Sequence, residues 1–150
     1  MPGKYDHLFV TDMKSCDEDM VYEGEAAGEE KLANVGDGYA LMRKADVPES
    51  KIYATHVWIH ESDERQTWVH EHVHDYDEVL MWKGNDPDNV KDLGGEIFMT
   101  IEGEEHRITT TGSVYIPAGV KHCPLGFVRV DRPFTFSALV LDGDYTGKRA

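Results

Sequence analysis

The chain has 150 residues, 40% of them hydrophobic and 29% charged, which suits one soluble globular domain and excludes a mostly disordered polypeptide. Lysine and arginine number 15 against 29 aspartates and glutamates, a formal net charge of −14. That field repels phosphate backbones and anionic lipid surfaces, so neither nucleic acid nor membrane is an expected partner.

No apolar run approaches the roughly 18 residues that a membrane helix needs. The opening MPGKYDHLFV lacks a basic start followed by an apolar stretch, so no secretory leader is expected. Cys16 and Cys123 lie far apart and form no CxxC pair. A reducing, cytoplasmic setting without a disulfide framework follows from that spacing.

In chain order, residues 11–30 are acidic and rich in turn formers, and read as loop with short strands. Gly36-Asp37-Gly38 marks a turn before Tyr39-Ala40-Leu41-Met42. Residues 51–60, KIYATHVWIH, carry the β-branched and aromatic content of a strand. Alternation would put Tyr53, Thr55, Val57 and Ile59 on one face, and Ala54, His56, Trp58 and His60 on the other.

Residues 84–95 are loop by composition. Residues 96–119 then read as strand, turn, strand, turn, strand, with turns at Glu102-Gly103-Glu104 and Thr111-Gly112-Ser113. Two apolar runs follow, at 127–130 and 134–141, separated by Asp131-Arg132-Pro133. Short strands at this spacing predict an all-β sandwich or closed barrel.

Five of the eight histidines fall between His56 and His74. The segment WVHEHVHDYDEVLMWKG (68–84) admits two readings. On a helix, His70-Glu71-His72-Val73-His74 is an HExxH motif. His70 and His74 would then grip Zn²⁺, with Glu71 as general base. On a strand, His70, His72 and His74 project to one side, and Glu78 can return to the same space after a turn. A further ligand would have to come from elsewhere, and His122 is the candidate. The strand reading is preferred, because HExxH leaves Glu78 and the Pro117–His122 signal unexplained.

On these residues the chain resembles the cupin superfamily. The first cupin motif runs HxH, three or four residues, Glu, then Gly. His72-Val73-His74, Glu78 and Gly84 fit it. The second runs Gly, a short apolar stretch, Pro-x-Gly, two residues, His. Gly112, Pro117-Ala118-Gly119 and His122 fit that. The family often carries Asn shortly after this last His, and here Gly126 stands there.

The resemblance implies a jelly-roll barrel, or double-stranded β-helix, over residues 51–150. Residues 1–50 would be an N-terminal extension of the same domain. It also implies a divalent transition metal (Fe, Mn, Ni, Cu or Zn, with iron favoured) held by His72, His74, Glu78 and His122. Such a site suits a metal-dependent enzyme of a small polar molecule, dioxygenase-like chemistry being preferred. The alternatives are a Lewis-acid isomerase, lyase or decarboxylase and a non-catalytic ligand-binding cupin.

His70 and Tyr76 are candidate catalytic groups. His56, Trp58, His60 and Arg129 are candidates for the substrate pocket. Arg132 is a further possible clamp for a substrate carboxylate. Cys123 is expected to point away from the metal as a small buried hydrophobe, because strand alternation separates it from His122. A homodimer is implied by the family alone.

Overall fold

The computed structural model describes residues 3–17, 19, 31–142 and, in backbone only, 148–149. After a 3₁₀ turn at Asp6–Leu8 the described chain is built of strands. They are β1 (Lys14–Ser15), β2 (Tyr39–Met42), β3 (Tyr53–Ile59), β4 (Gln66–Val69), β5 (His72–Val73) and β6 (Glu78–Lys83). They continue as β7 (Asp92–Ile101), β8 (Glu104–Thr110), β9 (Gly112–Ile116), β10 (His122–Val130), β11 (Phe134–Val140) and β12 (Lys148–Arg149).

Two sheets result. One has the order β1-β2-β3-β11-β6-β9, the other β12-β5-β10-β7-β8, with β4 also pairing β10. From β3 onward the chain passes repeatedly between the sheets, and the pairings are antiparallel. This is a jelly roll. β1 and β2 extend the first sheet beyond β3, and Val35 bridges Ile59. Most of residues 11–30 lie outside the described residues. Among the described residues no helix is long and apolar enough to cross a membrane.

Alternation decides what each strand buries. On β6, Glu78, Leu80 and Trp82 are buried; on β11, Phe134, Phe136 and Val140 are buried. The core between the sheets is aromatic. Trp68 stacks on Phe127 at 5.7 Å and meets Phe136 edge-on at 5.2 Å, while Phe127 contacts Phe134 at 6.0 Å. The Trp82 indole N–H donates to the Thr110 carbonyl at 2.9 Å, so its one polar atom is satisfied.

The β7–β8 hairpin turns on Glu102 and Gly103, at φ 47 and 81. Two successive positive φ values are what a two-residue type I′ hairpin turn requires. β8 itself, EEHRITT, is almost wholly exposed at the sheet edge, and its charges discourage further strand pairing there.

Register places one end of the barrel apart from the rest. Glu78 pairs with Ile116 on one side and Val140 on the other. Val140 pairs with Tyr53. In the other sheet, His122 pairs with both His72 and Ile101. The first residues of β5, β6 and β10 thus meet where the apolar core ends.

Candidate metal centre

Four side chains converge at that end. His72, His74, Glu78 and His122 are all buried. One nitrogen from each of His72, His74 and His122 lies within 4.8 Å of the others. The His72 and His122 rings are 4.3 Å apart between centroids, and His74 and His122 are 4.7 Å apart. Glu78 joins them, its Oε2 at 3.5 Å from His74 Nε2 and its Oε1 at 3.8 Å from His122 Nε2.

The backbone orients each ring. His72 Nδ1 bonds to the His70 carbonyl at 2.8 Å, His122 Nδ1 to the Val120 carbonyl at 2.9 Å, and His74 Nδ1 to the Tyr76 carbonyl at 3.2 Å. A carbonyl only accepts, so each Nδ1 carries the proton and each Nε2 keeps a lone pair. Carbonyls behind imidazoles in this way are the usual supports of metal-ligating histidines. His122 Nε2 and Glu78 Oε2 are buried without a hydrogen-bond partner. Orphaned acceptors of this kind are costly unless something electropositive meets them.

His72 and His122 are neutral at physiological pH. Burial pushes the His122 imidazole down to about 4, with the neighbouring His72 adding to the effect. Burial lowers His72 in the same direction. The approach of Glu78 to His122 is therefore not a salt bridge at pH 7. The carboxyl group and the three imidazoles make a mixed N/O set that fits a divalent transition metal.

By sequence, the chain matches no family model and no curated protein. By structure, it is similar to a cupin superfamily protein from Desulfitobacterium hafniense DCB-2, at 13% identity over 77% of this chain and 84% of that one, TM-score 0.50. A cupin 2 conserved barrel domain protein from Rhodopseudomonas palustris is similar at 11% identity over 83% and 74% of the two chains, TM-score 0.50. A recombinant oxalate oxidase in complex with glycolate is similar at 15% identity, TM-score 0.56. The match covers 96% of this chain and 64% of the oxidase.

The chain has the cupin fold.

Within this fold the other predicted residues fall in different places. His70 is half-buried and supplies its backbone carbonyl to His72, while its ring lies outside the three-histidine group. It follows β4 and precedes β5, so the HExxH spacing falls on extended chain and the helical reading does not apply. Tyr76 is buried and stacks on His74, with ring centroids 4.2 Å apart and planes at 17°. It packs with Cys16, Ala40, Tyr53 and Val140, so the N-terminal segment reaches the wall of the centre.

The structure does not bring His56, Trp58, His60 or Arg129 to this centre. β3 turns Tyr53, Val57 and Ile59 inward, Val57 and Ile59 joining the core against the other sheet. Trp58 is 39% exposed on the outer face and meets the His56 ring edge-on. His60 is exposed and lies past Ile59, whose partner Phe134 begins β11 at the end remote from Glu78. Arg129 is exposed and paired with Glu96 at 2.8 Å and Asp131 at 3.2 Å. Arg132 pairs with Asp92.

Simple alternation also fails at Cys123. It stands at φ 74, and the β10 register shifts between His122 and Leu125. His122 and Cys123 are both buried as a result, and Cys123 belongs to the main core between the sheets.

The lowered histidines make a prediction about metal-free protein. Between about pH 6.5 and 4 the unfolded chain takes up a proton at His122 that the folded chain refuses, so stability falls as pH falls through that window. Urea titration in EDTA should show a loss of about 2 kcal/mol from His122 between pH 7 and 5. An unchanged unfolding midpoint over that range would mean the imidazole is not buried as described.

Proposed function

We propose that this cupin is a metal-dependent enzyme of a small polar molecule bearing a chelating oxygen, with His72, His74, Glu78 and His122 as metal ligands. The observation that carries the reading is the convergence of three imidazoles and one carboxyl group on one buried point. Four protein ligands on a six-coordinate ion keep two positions for water, substrate or co-substrate, an open site rather than a structural one. Of Fe, Mn, Ni, Cu and Zn, iron is favoured, and with it dioxygenase-like oxidation. When bound, the ion supplies Lewis acidity and, if it is iron, one-electron chemistry.

The chain's own residues do the rest. The carbonyls of His70, Tyr76 and Val120 hold the imidazoles in one tautomer. Tyr76 covers one face of His74 and limits the access of water. One carboxylate against a dication leaves positive charge at the centre, which draws an anionic oxygen donor. His70 and Tyr76 are the candidate proton-handling groups. Both cysteines are buried, which suits a reducing cytoplasm. Tyr39, Leu41 and Trp58, exposed on the β2–β3 side of the first sheet, offer a face for a homodimer.

The test is oxygen uptake by Fe(II)-loaded protein with a panel of small hydroxy- and oxo-acids. Substrate-dependent uptake that disappears in His122→Ala is expected. Turnover with Mn(II) or Zn(II) that is indifferent to removal of O₂ would replace oxidation by Lewis-acid isomerase, lyase or decarboxylase chemistry. Tight ligand binding without turnover would make the protein a non-catalytic binding cupin.

A further inference from the structure

Asp77 sits between Tyr76 and the ligand Glu78, and its side chain leaves the site. One carboxylate oxygen accepts the backbone N–H of Ala118 at 2.8 Å, and the other accepts the Tyr115 hydroxyl. Its backbone carbonyl accepts the Leu141 N–H at 2.9 Å. Asp77 thereby joins the start of β6, the end of β9 with the turn after it, and the end of β11. The same turn is tied from the other side, where Gly119 N–H donates to the His74 carbonyl at 2.9 Å.

These bonds connect the two chain segments that carry the ligands. His74 and Glu78 flank the Asp75-Tyr76-Asp77 loop. His122 follows the Pro117-Ala118-Gly119 turn, and Val120 in that turn orients the His122 ring. The two segments are 41 residues apart in sequence at Asp77 and Ala118. The strand pairs Glu78–Ile116 and His72–His122 bring the segments together, and the Asp77 bonds add a side-chain cross-connection at the loops that lie beyond those pairs. The Asp77 bonds to Ala118 and Tyr115 use charge, which roughly doubles the strength of a hydrogen bond and sharpens its geometry.

We propose that Asp77 is a positioning residue of the metal centre. Its carboxylate sets the distance between the His74–Glu78 segment and the His122 segment, and so sets metal affinity and geometry without touching the metal. The proposal rests on the metal-ligand reading given above. Tyr115 is the second member of the device. It is 54% exposed, so its loss leaves the core untouched.

The test titrates Co(II) into full-length protein and follows the visible ligand-field bands. Asp77→Ala should weaken Co(II) binding 10- to 100-fold, the range found for groups that orient ligands from behind, and should shift the bands. Tyr115→Phe should weaken it less, in the same direction. Asp77→Asn keeps an acceptor for Ala118 and should recover most of the affinity.

Leu93→Ala is the control for general destabilisation: Leu93 is buried in the core and is not among the four ligands. It should lower the melting temperature while leaving the affinity and the bands alone. Asp77→Ala and Tyr115→Phe with wild-type affinity and bands, in a protein whose His122→Ala variant loses Co(II), would overturn the positioning role and leave the metal site standing. If Asp77→Ala fails to fold, Tyr115→Phe alone decides. Wild-type protein that takes up no Co(II) would overturn both readings together.

Discussion

Replacing His122 by alanine should weaken divalent-metal binding by more than about 100-fold, beyond the effect of losing a supporting group alone. His122 is wholly buried, its Nδ1 is committed to the Val120 carbonyl, and its Nε2 has no hydrogen-bond partner. The side chain has one free donor atom, and that atom faces the space shared with His72, His74 and Glu78. Its removal leaves three ligands and a void in a dry pocket. His70→Ala is the matched control for metal binding, because the support His70 gives to the ligand His72 comes from its backbone carbonyl, which alanine keeps. Isothermal titration with Mn(II) or Zn(II) on the two variants separates them. Equal loss in both would mean that the ligand register is wrong.

Gly126→Ala should be the most damaging single-methyl addition in the second sheet. A Cβ at position 126 would lie 2.0 Å from the Gln66 carbonyl oxygen and 2.6 Å from the Phe98 ring. Neither can yield. The Gln66 oxygen is backbone in β4, which pairs β10 across this point. Phe98 is buried, with the Arg65 guanidinium 3.8 Å above its ring.

Overpacking of this kind costs about 1–3 kcal/mol where side chains can adjust, and more where backbone must move. A loss of about 3 kcal/mol or more is expected, on the order of 10 °C in melting temperature for a domain of this size. A melting point within a couple of degrees of wild type would mean that β4 does not approach β10 so closely. The same contact accounts for the residue itself: any side chain at position 126 lacks room beside the Gln66 carbonyl.

Much of the architecture was legible because period-2 patterning survives where a strand has one dry face. Residues 51–60 read as a strand from their β-branched and aromatic content, and the stretch from 96 onward from its turn residues between apolar runs. The two motifs placed His72, His74, Glu78 and His122 in one candidate set, and the barrel gathers those four. What escaped was the choice of face. On β3 both alternations contain aromatic residues, and only the position of the other sheet makes Val57 inward and Trp58 outward.

Arg129 read as a substrate clamp because a lone arginine near a strand end gives no sign of its partner. Glu96 lies 33 residues away and meets it only across β7 and β10. The departure at Cys123 was equally hidden. Alternation was extrapolated through a register shift that sequence pattern does not announce. Asp77 gave no signal either. A carboxylate in an acidic loop is ordinary, and its bonds go to residues 38 and 41 positions away.

The central claim is that the buried cluster of three histidines and a glutamate holds a metal ion. The most direct measurement is metal content per chain by inductively coupled plasma mass spectrometry on tag-free protein, with His122→Ala purified in parallel. Close to one equivalent of a divalent transition metal is expected in wild type and little in the variant. Wild-type protein that purifies without metal and takes up none on incubation with Fe(II), Mn(II) or Zn(II), or a variant that keeps its full complement, would contradict it.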